Sequence, residues 1–146
     1  MKIKLLGLAL ITALAVAVPS LAGNPPIFAK ALAVGTMRAT TIDAKAGSMI
    51  LESFKIAPGG SFGWHKHGSP VAAVVTSGTL TVFDPAIGKC APFKVSKGQA
   101  FVEPANHVHL ARNDTQTTVT VYALYLGLPK SAGANIGAAA PTDCHA

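Results

Sequence analysis

Four of the five histidines fall in two short pairs, His65-Lys66-His67 and His107-Val108-His109. In a β-strand, alternate side chains leave the same face, so each pair would project two imidazoles together. Neutral imidazole is the commonest protein ligand for a metal ion. Two convergent pairs on strands therefore predict a metal site inside a β-barrel. The fifth histidine, His145, sits in the C-terminal tail beside Cys144 and reads as incidental.

The elements that must carry these pairs are short and punctuated by turns. A Thr-rich, β-branched segment over residues 36–45 suits a first strand, and Ala46-Gly47-Ser48 a turn. Residues 49–56 alternate, with Ile50, Glu52, Phe54 and Ile56 on one face. Ala57-Pro58-Gly59-Gly60 ends that strand and leads into the His65/His67 strand. There Trp64 alternates with His65 and is expected to face outward. Residues 71–76 are apolar on both faces, as in a strand buried on both sides. Ser77-Gly78 turns the chain into a strand over 79–83, a hairpin signal. Residues 84–92 read as a loop, and 93–96, 99–103 and 107–112 as strands. Residues 117–126 form a long β-branched and aromatic run, again a strand. About eight short strands with no helix among them call for a β-sandwich or closed barrel, one all-β domain.

The first residues stand apart from that domain. Lys2 and Lys4 precede an uncharged apolar run, Pro19 breaks it, and Ser20-Leu21-Ala22 offers small residues to a signal peptidase. Residues 1–22 are therefore expected to be a cleaved signal peptide, the run being short for a spanning helix of about 20 residues. The alternative is a retained membrane anchor. Cleavage predicts a secreted or periplasmic protein with no stable membrane anchor. Residues 23–35, with Asn24-Pro25-Pro26, read as an extended arm, 36–128 as the barrel, and 129–146 as a Gly/Ala-rich tail. Loss of Lys2 and Lys4 leaves ten basic residues against six acids, a net charge of +4. The bases are scattered, without arginine-rich patches, so nucleic acid is not an expected partner. There is no Gly-x-Ser-x-Gly elbow, Walker A loop or dinucleotide fingerprint.

Two cysteines, Cys90 and Cys144, lie beyond the signal. In an oxidising compartment they read as a structural disulfide tying an internal loop to the tail. On the chain-entropy model such a bridge stabilises by roughly 4 kcal/mol. Two free thiols, or a redox pair, are the alternatives.

The histidine stretches resemble the two motifs of the cupin family. The first cupin motif runs Gly, five residues, His-x-His, three or four residues, Glu, six residues, Gly. Here Gly59 precedes His65 by that spacing (Gly60 by one fewer), His67 follows, and Gly78 closes the motif. The second motif runs Gly, five residues, Pro-x-Gly, two residues, His, three residues, Asn. Gly98, Pro104, His109 and Asn113 match it in register, with Asn106 in place of the glycine. Asn tolerates positive φ better than most residues, so that exchange is mild. The resemblance implies a double-stranded β-helix, or jelly-roll barrel, across most of the chain. It also implies His65, His67 and His109 as metal ligands, with His107 a candidate fourth ligand or acid/base group. A turn histidine bonded to backbone after Pro104 is the alternative for His107.

One departure stands out. The motif's glutamate position is occupied by Val71, which cannot bind a metal. Glu103, the acid nearest the second motif, precedes Pro104 and reads as facing solvent. An all-imidazole set suits a divalent transition metal (Fe, Cu, Ni or Zn) over Mn or Mg. Its uncompensated charge favours an anionic small-molecule ligand. Two functions are consistent with this pattern: an oxygenase- or isomerase-type enzyme on a small organic acid, or a non-catalytic barrel that binds a small molecule or metal. Cupin barrels commonly dimerise by strand exchange, which makes a homodimer the candidate assembly.

Overall fold

Among the described residues nine strands form, most of them where alternation and turn residues coincide: β1 (Ser48–Ile56), β2 (Ser61–Lys66), β3 (Val71–Ser77), β4 (Thr79–Phe83), β5 (Phe93–Ser96), β6 (Ala100–Glu103), β7 (His109–Arg112), β8 (Val119–Leu128) and β9 (Ile136–Gly137). The computed structural model describes residues 29–88, 90–131 and 133–144. The expected signal peptide and His145 lie outside the described residues. The chain divides into units 1–32 and 33–146, and the second holds all of the described strands.

Two antiparallel sheets result, ordered β1-β8-β3-β6 and β5-β4-β7-β2-β9. This is the all-β jelly roll expected of the sequence. Their inner faces enclose the core, where Ile56, Val75, Leu80, Val82, Val119 and Val121 interlock. The alternation read in β1 holds, with Ile50, Glu52, Phe54 and Ile56 turned inward and Met49, Leu51, Ser53 and Lys55 exposed. Gly78 closes the β3–β4 hairpin at φ 74°, and a Cβ there would lie 2.9 Å from the Val119 side chain. Glycine is thus required both by conformation and by space.

Three local expectations are corrected. Residues 36–45 form no strand; only Thr36 bridges to Gln99, because the Thr-rich segment finds no partner edge beyond that point. The segment over 84–92 includes one helical turn, Pro85–Gly88, started by the Asp84 carboxylate accepting the Ala86 N–H at 2.8 Å. β3 is buried on one face only: Val71, Ala73 and Val75 are buried, while Ala72, Val74 and Thr76 are half-buried. The tail is also more structured than its composition suggests. β9 adds to the β2 edge, the Ala138 N–H donates to the Trp64 carbonyl at 2.9 Å, and Cys90 and Cys144 form a disulfide.

Candidate metal centre

Register brings the histidines together. His65 on β2 lies directly opposite His109 on β7, and residues opposed across an antiparallel pair share a face. His67 follows just beyond the end of β2 with the same parity. Burial reduces His65, His67 and His109 to 5%, 2% and 1% exposure. One ring nitrogen from each lies within 4.8 Å of the others.

Each of the three rings is oriented by a backbone carbonyl. His65 Nδ1 donates to Gly63 O at 3.0 Å, His67 Nδ1 to Ala134 O at 2.7 Å, and His109 Nδ1 to His107 O at 3.0 Å. A carbonyl oxygen can only accept, so Nδ1 bears the proton in every case and each neutral ring presents its Nε2 lone pair. Fixing the far nitrogen in this way is what orients a metal-binding histidine. His107 does not join the cluster. Its contribution is its carbonyl, and its own Nδ1 is buried without a partner.

Glu103, expected at the surface, is buried at 8% exposure beside two of these histidines. Its Oε2 lies 3.0 Å from His67 Nε2 and its Oε1 3.1 Å from His109 Nε2. The reason is register: Glu103 on β6 is paired with Val71 on β3, so both point inward. The acid absent from position 71 is thus present one strand away. The signal was available in the parity of β6, since Phe101 lies two residues earlier and also lines the inner cavity. Pro104 drew attention to a strand end instead.

The electrostatics follow from burial and from these contacts. Burial holds His65 down from 6.5 to about 4, against its bond to Gly63, so it is neutral at ordinary pH. Burial alone would raise Glu103, but His109 and His67 outweigh it and hold the carboxyl at about 2. Burial likewise opposes charge on His109, yet the Glu103 carboxylate raises its pKa.

The motif's other residues frame the site. Asn106 takes φ 62°, the left-handed conformation its glycine counterpart would adopt, and its N–H donates to His67 O at 2.8 Å. Asn113 is fully buried. Its Nδ2 donates to Ile56 O and Thr117 O, and its Oδ1 accepts from Thr115 N and Oγ1. Its backbone N–H donates to Gly60 O at 2.9 Å, which ties the turn before β2 to the end of β7. Beside the histidines is a cavity of about 30 Å³, walled by Phe54, Phe62, Phe101, Val121, Tyr125 and Asn135. It has room for an ion with a water or two.

These residues fit a divalent metal: three oriented imidazoles, a carboxylate and a small enclosed space. A family model described as a cupin domain matches residues 52–125. No curated protein matches the sequence. Among solved structures, the polyketide cyclase RemF from Streptomyces resistomycificus is similar at 19% identity and a TM-score of 0.53, covering 67% of this chain and 66% of its own. The DMSP lyase DddQ from Ruegeria pomeroyi is similar at 15% identity and a TM-score of 0.52, covering 63% of this chain and 44% of its own. This chain therefore spans less than two thirds of the cyclase and less than half of the lyase, and at these identities the likeness is one of fold.

Proposed function

The chain belongs to the cupin family, and from that premise we propose an exported metal-binding cupin in which His65, His67 and His109 hold a divalent transition metal. The supporting observation is the trio of Nδ1 bonds to backbone carbonyls, which leaves three Nε2 lone pairs turned to one point. Imidazole donors suit Fe, Cu, Ni or Zn. The disulfide fits an oxidising compartment and supports export, in line with the expected signal peptide.

As an enzyme, this protein would act on a small organic acid in an oxygenase- or isomerase-type reaction. A bound ion would act as a Lewis acid on a ligand oxygen or a water. The chain's own part is to fix the imidazoles, exclude water with Phe54, Phe62 and Phe101, and present Tyr125 and Asn135 beside the site. One buried carboxylate leaves a divalent ion with a net positive charge, which favours an anionic group on the ligand. The small cavity favours a second reading, a non-catalytic barrel that binds metal or a very small molecule.

Metal analysis of the purified protein tests the proposal. Stoichiometric iron, copper, nickel or zinc, lost in both His65→Ala and His109→Ala, is the expected result. Protein that carries no metal and takes up none when it is added overturns it.

A further inference from the structure

We propose that Glu103 is a fourth metal ligand, a carboxylate supplied from β6 in place of the motif glutamate that Val71 has replaced. This rests on the three-histidine reading above. Three independent features carry it.

The first is the bridging geometry. The two carboxylate oxygens reach two different imidazoles, at 3.0 and 3.1 Å. Adjacent ligands that share one ion at about 2.1 Å are separated by about 3 Å, so these separations suit a common ion.

The second is the direction of the ring nitrogens. His67 and His109 both spend Nδ1–H on backbone carbonyls. Both Nε2 atoms are therefore left to face Glu103, with His67 Nε2 hydrogen-bonded to Oε2 at 3.0 Å and His109 Nε2 3.1 Å from Oε1. His109 Nε2 makes no aligned hydrogen bond although Oε1 is 3.1 Å away. Close approach without alignment is expected of two donors aimed at a shared point and not at each other.

The third is register. Val71 and Glu103 are direct partners on the β3–β6 ladder, and opposed residues have Cβ atoms about 5 Å apart on one face. A glutamate can span that distance, so one carboxylate can serve the same interior point from either strand.

Cobalt(II) titration of the full-length exported protein, followed by visible absorption and calorimetry, tests this against the alternative that Glu103 only pairs with protonated histidines. Three proteins are compared: the native chain, Glu103→Gln, and a relocated variant carrying Val71→Glu with Glu103→Val. With Glu103 as a ligand, Glu103→Gln weakens cobalt(II) binding on the order of a hundredfold and alters the ligand-field bands, and relocation restores both. Affinity that is unchanged or raised in Glu103→Gln, with an unaltered spectrum, overturns the proposal and leaves the three-histidine site standing. Relocation also covers poor folding of Glu103→Gln, because a relocated carboxylate that fails to restore binding to a folded protein overturns the proposal by itself. Failure of the native chain to bind cobalt(II) at all would instead remove the three-histidine reading beneath it.

Discussion

His65 and His109 face each other across the β2–β7 ladder with ring centroids 4.3 Å apart. Two buried imidazoles in that relationship, with a third ring 4.9 and 5.0 Å away, add little to the packing of an apolar core. Desolvating polar nitrogens costs free energy unless they are partnered. The cluster is therefore a site maintained at some expense in stability.

It follows that His65→Leu should leave the metal-free protein at least as stable as the native chain. What it should remove is the metal-dependent gain. Metal at a hundred times its dissociation constant stabilises the folded state by about 2.7 kcal/mol, roughly 10 °C in Tm for a domain of this size. Thermal melts with added metal and with chelator measure both effects, and a full metal-induced shift in His65→Leu would contradict the assignment.

The pH dependence of the metal-free protein has a definite sign. His65 is held at about 4, so between pH 6.5 and 4 the unfolded chain binds a proton that the folded one refuses. Stability then falls with pH across that window, by on the order of 2–3 kcal/mol. Glu103, held at about 2, contributes stability above pH 4.5 that is lost as pH falls from 4.5 to 2. His109 is shifted the other way: its contribution is present below pH 6.5 and disappears as pH rises through its folded pKa. Urea unfolding in chelator should show a maximum near pH 6.5 with losses on both sides. Metal affinity should rise with pH, because the ion must displace a proton from His109.

Asn113→Ala should be among the most damaging single changes. It leaves the Ile56 carbonyl without its buried donor and removes the half-buried bonds to Thr117 O and to Thr115 N and Oγ1. At about 1–3 kcal/mol for the one buried unsatisfied carbonyl, with about 0.5–1.5 kcal/mol for each other bond lost, a loss of about 3 kcal/mol is expected from the urea midpoint. The protein that remains folded should still bind one metal ion, since none of Asn113's hydrogen bonds goes to a proposed ligand.

Replacing both cysteines with serine should cost about 2–4 kcal/mol and also weaken the metal site. The tail supplies the Ala134 carbonyl that fixes His67, and loss of such a partner typically lowers metal affinity 10–100-fold. Calorimetry on Cys90→Ser with Cys144→Ser, beside the oxidised native chain, reads this directly. Equal affinities would show that the tail holds its place without the bond.

Alternation in residues 49–56, the β-branched and aromatic run over 117–126, and the histidine spacing itself made the sheets and three buried imidazoles readable from the sequence. Those features depend on local period, which a single strand displays. Glu103 was missed because its placement depends on which strand lies beside it, and Pro104 made it resemble a strand end. β9 was missed for a different reason: Ile136-Gly137 acts through backbone bonds to β2, and backbone leaves little trace in composition. The 36–45 segment failed in the opposite direction. Its β-branched residues fit a strand, but no neighbouring edge continues past Thr36.

The Cys90–Cys144 bond makes a covalent hoop of residues 90–144. Glu103, His109 and the Ala134 carbonyl are carried on the hoop, while His65 and His67 are outside it. An ion gripped by both groups would be a second cross-link, lacing β2 to the hoop at a point where only strand pairing and hydrogen bonds otherwise join them. Oxidation and metal loading would then be successive closures of one fold, and chelation would loosen β2 while the hoop stayed shut.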